Sequence, residues 1–146
     1  MKVKIKRLNP EVPLPAYQTP DAACFDIAAN EDVIIQPKEI KLIHTGLIAE
    51  SPKGYFLALF SRSSTPKKKG LMFPHSVGIV DPDYSGPDDE ILIQVINFTD
   101  QAVEVKKGER IAQGMFMPVS QVEWEEVDQI NDKSRGGVGS TGGYHG

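Results

Sequence analysis

Cys24 is the only cysteine in 146 residues, which excludes an internal disulfide and fits a reducing compartment. Histidine is scarce as well, with three in the chain. No second His or Cys stands at ligand spacing from His44, so that residue reads as a structural histidine and not as part of a local zinc site. Long apolar runs are missing. Met1 to Pro10 alternates Lys and Arg with Val, Ile and Leu, which is neither signal peptide nor membrane anchor, so a cytoplasmic protein with no membrane partner is expected. Positive charge is in short supply. With 16 Lys and Arg against 20 Asp and Glu, the net charge of −4 argues against nucleic acid as a main partner, because counterion-releasing binders are usually basic.

What remains fits one soluble domain with a real core and no room for a second. Apolar content is 40% and charged content 25%, as in ordinary globular proteins. Helical periodicity is almost missing. Short runs at regular spacing predict about ten strands and an all-β, jelly-roll-like distorted barrel over residues 1–130. The first strand is expected over Lys2 to Leu8, with one face to water. Pro10, Pro13, Pro15 and Pro20 then make an extended connection. Further strands are expected at Ala22 to Ala28, Val33 to Ile35, Ile40 to Ile48, Tyr55 to Phe60, Arg110 to Val119 and Val122 to Val127. Asp26 falls inside an apolar strand, where a charge needs hydrogen bonds, a cation or a metal-bound water. The alternative is an Asp capping a turn before Asn30.

Between Ser61 and Gly70 the chain reads Ser-Arg-Ser-Ser-Thr-Pro-Lys-Lys-Lys-Gly. Ser64 or Thr65 can cap a helix, Pro66 suits its first position and Gly70 its end. Free amides, the Arg62 guanidinium and the Ser63 hydroxyl together suit an anion. Lys67 to Lys69 read as a solvated charge run.

The stretch from His75 to Gly86 carries the densest chemistry. His-Ser-Val-Gly-Ile-Val suits a strand, and Asp81-Pro82-Asp83 must turn it, because proline removes a donor and fixes φ. A second strand is expected from Glu90 to Phe98, apolar at almost every position and therefore buried on both faces. The pair is expected to form a β-hairpin. Two readings of its tip stand: Asp81 and Asp83 close Asx-turns, or a carboxylate on a rigid strand end aims a water.

Together with four other segments, this stretch resembles the motifs of the homotrimeric dUTPase family. The hairpin motif is Val77-Gly78-Ile79-Val80-Asp81-Pro82-Asp83-Tyr84-Ser85-Gly86. The others are Ala22-Ala23-Cys24-Phe25-Asp26-Ile27, Arg62-Ser63-Ser64, Gly108-Glu109-Arg110-Ile111-Ala112-Gln113 and Gly136-Gly137-Val138-Gly139-Ser140-Thr141-Gly142. They stand in the family's order with family-like spacing. The resemblance implies a homotrimer with active sites shared between subunits, and hydrolysis of dUTP to dUMP and pyrophosphate with Mg²⁺ on the triphosphate. It implies Asp81 as the base for the attacking water, with Gln113 on the α-phosphate or that water. Arg62, Ser63 and Ser64 would hold phosphate, Ser64 by its backbone. His75, Gly78 and Ile79 would line the uracil, Tyr84 would pack under the deoxyribose, and Asp26 would orient the metal's water shell or the neighbouring motifs. Arg110 would support the site. On the residues alone, Arg110 and Gln113 would face opposite ways on a regular strand, so a shared site needs a bulge.

Residues 131–146 hold six glycines and almost no large apolar side chain, a composition expected to be disordered alone. No G-x-x-x-x-G-K-[ST] occurs, so this is not a Walker loop. The Gly139, Ser140 and Thr141 amides can nonetheless wrap a phosphate, and the resemblance implies an arm closing over the substrate. Three places depart from the family pattern. Val138 stands where a phenylalanine usually caps uracil, His75 where Asn is frequent, and Pro87-Asp88-Asp89 is inserted before Glu90. Either Lys133 or Arg135 would reach the γ-phosphate. Two other functions stay open: a dCTP deaminase of similar fold, which needs a catalytic glutamate, and a non-catalytic nucleotide sensor.

Overall fold

The computed structural model describes residues 1–137, so Val138, Gly139, Ser140, Thr141 and Tyr144 lie outside the described residues. Among the described residues, strands and one short helix follow in the order β1 (Lys4–Arg7), β2 (Phe25–Ala28), β3 (Val33–Ile35), β4 (Ile40–His44), β5 (Leu47–Glu50), β6 (Tyr55–Ser61), α1 (Thr65–Lys69), β7 (Leu71–Met72), β8 (Val77–Val80), β9 (Leu92–Asn97), β10 (Val103–Val105) and β11 (Arg110–Pro118). The all-β expectation holds. One sheet runs β2-β11-β6-β8 and a second β4-β9-β7, with β1-β5 and β3-β10 as antiparallel pairs. Nearly every strand sends a side chain into one core. Ile27, Ile35, Ile43, Leu47, Leu57, Leu71, Ile93, Val105 and Ile111 are each at most 2% exposed. β1 differs from expectation: all four of its residues are exposed, on both faces.

Three other sequence expectations are corrected. The run from Ile40 to Ile48 is two strands. Gly46 adopts φ 71°, in the left-handed region, and a Cβ there would lie 2.5 Å from Val12 Cγ2. The chain therefore turns at Thr45-Gly46, and β4 and β5 pair with different partners. The hairpin does not form either. β8 pairs with β6 in one sheet and β9 with β4 and β7 in the other, so residues 81–91 cross between sheets. Hairpin loops are commonly ~2–5 residues; this connection is longer and holds Pro82 and Pro87. Finally, Val122 to Val127 is not a strand. No neighbouring backbone among the described residues takes its hydrogen bonds, and Trp124 is 90% exposed.

β9 is also less buried than its apolar run suggests. Ile93, Val95 and Asn97 point into the core, whereas Leu92, Gln94 and Ile96 are only half-buried. They share the outer face of their sheet with Ile40, Leu42 and Met72, which stand opposite Ile96, Gln94 and Ile96 in register and are 42–52% exposed. This is an apolar sheet face without cover.

Candidate active site

Asp26 is buried at 8% exposure on β2, and the partner it needs is supplied by two arginines. Arg62, just past the end of β6, donates from Nε to Asp26 Oδ1 at 3.0 Å. Arg110 at the start of β11 brings Nη1 to 3.4 Å from Oδ2. The same oxygen accepts no hydrogen bond among the described residues. Arg62 Nη1 donates to the Arg110 carbonyl at 2.9 Å, and Arg110 donates to Gln18 Oε1. Two guanidiniums thus share one carboxylate, and the cluster keeps one unneutralised positive charge. The turn-capping alternative for Asp26 does not describe it. Burial, and then the Asp26 charge, push the Cys24 thiol above its ordinary pKa. Cys24 is accordingly a thiol and no nucleophile at neutral pH.

The bulge needed for Arg110 and Gln113 to share a site is present. The pairing of β11 with β2 shifts register between Arg110 and Ala112, after which Gln113 stands opposite both Asp26 and Phe60. Gln113 Nε2 donates to the Ser61 carbonyl at 3.1 Å, which ties it to the end of β6 that carries Arg62. Past Arg62, Thr65 donates its amide back to the Arg62 carbonyl at 3.0 Å. One amide expected to be free at the helix start is therefore taken. Ser64 caps α1 without a side-chain hydrogen bond, and Gly70 ends it at φ 67°. Lys69 is corrected from solvated charge to structural ion pair, because its Nζ sits 2.9 Å from Glu109 Oε1 and donates to the Glu104 carbonyl at 2.8 Å. Lys67 and Lys68 are exposed, as expected.

The second group of residues is built differently. β8 is the edge strand of its sheet, so alternate backbone groups face away from β6. Gly78 is buried, and a Cβ there would stand 3.2 Å from His75 Nε2. Glycine lets the imidazole lie across the strand, with its ring stacked on Phe73 at 5.7 Å between centroids. Ile79 points outward at 64% exposure. Asp81 and Asp83 are exposed, and their carboxylates accept no hydrogen bond among the described residues, so neither closes an Asx-turn. The turn is made by backbone: Tyr84 donates to the Asp81 carbonyl at 3.1 Å and Ser85 to the Asp83 carbonyl at 3.0 Å. The Tyr84 hydroxyl donates to the Glu90 carbonyl at 3.2 Å.

The two groups do not meet. Val77 stands opposite Phe60 and Val80 opposite Leu57, so Asp81 leaves the end of β8 remote from Arg62. Five residues of strand separate Leu57 from Arg62, ~16 Å at ~3.3 Å per residue. Lys133 and Arg135 are exposed and make no ion pair among the described residues. Gln18 and Glu90 were not expected at the site. Gln18 carries no signal in its Pro-rich connection, whereas Glu90, a charge heading an apolar strand, was a readable one.

A family model described as dUTPase matches residues 10–142. The chain belongs to the dUTPase family. A deoxyuridine 5'-triphosphate nucleotidohydrolase of Nautilia profundicola is 48% identical over 144 residues, covering 97% of this chain and 99% of the relative. That of Lactococcus lactis is 44% identical, over 97% and 95% of the two chains. The crystal structure of a dUTPase from Streptococcus mutans superposes with a TM-score of 0.77 at 38% identity, covering 85% of this chain and all of the other. All five motif segments fall inside the matched span.

Proposed function

We propose that this dUTPase-family chain hydrolyses dUTP to dUMP and pyrophosphate by water attack on the α-phosphorus, at sites assembled between the subunits of a homotrimer. The observation that carries the reading is the pairing of an uncommitted carboxylate with an over-balanced arginine cluster. Asp81, whose carboxylate has no partner among the described residues, is the general base that aims and deprotonates water, a role worth ~10²–10⁴-fold. The Asp26–Arg62–Arg110 cluster, with one positive charge in surplus, is the phosphate side. Arg62, Ser63 and Ser64 bind there, and Gln113 keeps a second N–H and its carbonyl for the α-phosphate or the water. Charge building on phosphate oxygens is then offset by fixed donors.

The open edge of β8 near Gly78 and Ile79 presents backbone donors and acceptors to the uracil edge, with His75 beside them. Tyr84 packs under the deoxyribose and leaves no room for a 2′-hydroxyl. Val138 covers the base, and Gly139, Ser140, Thr141 and either Lys133 or Arg135 close over the phosphates. Mg²⁺ fits as a companion of the triphosphate, since that ion is commonly held by substrate phosphates and few carboxylates. Among the described residues no cluster of three His, Cys, Asp or Glu could cage a metal. Asp26 Oδ2, buried and without a hydrogen bond among the described residues, would hold one water of its shell. Bound there, Mg²⁺ supplies charge neutralisation.

Distance supports sharing between subunits: the base and the phosphate cluster leave opposite ends of adjacent strands. The uncovered face of Ile40, Leu42, Met72 and Ile96 offers apolar surface for the contact. Incubation of dUTP, dCTP, dTTP and UTP separately with Mg²⁺ tests the reading. Pyrophosphate from dUTP alone is expected; ammonia from dCTP indicates a deaminase, and neither product a binding protein. No helix is long and apolar enough to cross a membrane among the described residues.

A further inference from the structure

The connection that bears Asp81 and Tyr84 is fastened at its far end by Glu90, a residue with no assigned role. Its side chain is 16% exposed and fully engaged. Oε1 accepts the Gly46 amide at 2.6 Å, and Oε2 lies 2.7 Å from His44 Nδ1, which must donate to it. The next residue is fixed too: the Thr45 hydroxyl donates to the Ile91 carbonyl at 2.6 Å, and the Ile91 amide to the Leu47 carbonyl at 2.8 Å. The inserted Pro87-Asp88-Asp89 adds a second fastening, as Asp89 Oδ2 accepts the Gly86 amide at 2.6 Å. The Glu90 carbonyl, held between these points, is what receives the Tyr84 hydroxyl at 3.2 Å. Tyr84 itself is 39% exposed, so packing alone does not fix its ring.

We propose that Glu90 is a positioning residue for sugar discrimination: clasped by Gly46 and His44, it sets the carbonyl that orients the Tyr84 ring against the 2′-position of the nucleotide. The inference rests on the dUTP reading above. A loosened clasp lets the ring swing and admit a ribose, while Asp81, on the other flank of the turn, still acts on water. The effect belongs to selectivity and not to the chemical step.

The test is kcat/KM for dUTP and for UTP with wild type, Glu90→Ala, Glu90→Gln, Tyr84→Phe and the Glu90→Ala/Tyr84→Phe double variant, each checked for a cooperative melt. Glu90→Ala and Tyr84→Phe should each lower the dUTP:UTP ratio about five- to tenfold, the worth of one neutral hydrogen bond. The double variant should lose no more than the larger single, because both act through one contact. Glu90→Gln keeps an acceptor for Gly46 and should hold the ratio within about twofold of wild type. A folded Glu90→Ala with an unchanged ratio, or additive losses in the double variant, overturns the proposal. Wild type that turns over neither nucleotide overturns the dUTP reading itself, and this inference with it.

Discussion

The arginine cluster and the Asp81 carboxylate are both polar, yet one is ion-paired inside the protein and the other, among the described residues, is left open. Asp26 is buried and paired twice, Arg62 is tied to a carboxylate and a carbonyl, and Gln113 to Ser61. Among the described residues, Asp81 has only its backbone in use. Groups that must hold a constant charge against a polyanion gain from fixed partners, since a preorganised donor needs no reorganisation when charge develops. A group that must take a proton from water gains from having none, because every internal hydrogen bond would compete with that water. On the proposed reading the difference separates binding from chemistry.

Asp81→Asn carries the largest expected effect, a fall in kcat of ~10²–10⁴ with nucleotide affinity within a few-fold. Single-turnover kinetics beside titration with a non-hydrolysable dUTP analogue measure the two; retention of more than about a tenth of turnover would remove Asp81 as base. Asp26→Ala should act on the other side. It leaves two guanidiniums facing each other, so stability should fall by about 1–3 kcal/mol in urea unfolding and phosphate affinity should drop as the arginines lose their anchor. Unchanged stability would mean that the pair is only a surface contact.

Val138→Phe should tighten analogue binding by about fivefold, part of the ~1–3 kcal/mol that ring-on-base stacking brings. Calorimetric titration reads it, with Tyr144→Ala as the control expected to do little. His44 gives the smallest effect. Hydrogen bonding to Glu90 raises its pKa above the ordinary 6.5, against desolvation, with the charges of Glu90 and Glu31 adding to the rise. A raised folded-state value means the contact stabilises fully below the ordinary pKa and loses that contribution as pH climbs through the folded one. His44→Gln should therefore destabilise the fold more at about pH 5.5 than at about pH 8.5, by well under 1 kcal/mol because the imidazole is half exposed, and thermal melts at the two pH values read the difference. An equal loss at both pH values would show that the charge is irrelevant.

The strands were legible as short apolar runs between turn residues; Tyr55–Ser61 is one, buried at Leu57, Ala58 and Leu59 in succession. The Arg110–Gln113 bulge was legible as a geometric requirement. Partners were not. β8 and β9 carry the same local pattern in a hairpin as in two sheets, and only Leu57, Leu59, Ile93 and their neighbours decide between them. Gly46 was lost inside an apolar run because its reason lies in Val12 and Asn30, far away in sequence. Val122 to Val127 has a strand's composition without a neighbour to complete it. At the site, Asp26 announced a missing partner but not that two arginines would fill the place, and Glu90 was readable as a charge ahead of an apolar strand, whereas its partners Gly46 and His44 were not.

On the proposed reading, Asp81 and Arg62, which leave opposite ends of the paired strands β8 and β6, meet only between different copies of the chain. Two inactive variants, Asp81→Asn and Arg62→Ala, mixed in equal amounts under dissociating conditions and reassembled, test it most directly. A composite site needs Arg62 from one copy and Asp81 from the next, so random trimers should recover about a quarter of wild-type dUTP turnover. Sites built within single chains would contain neither pairing, and a mixture no more active than its components would contradict the account.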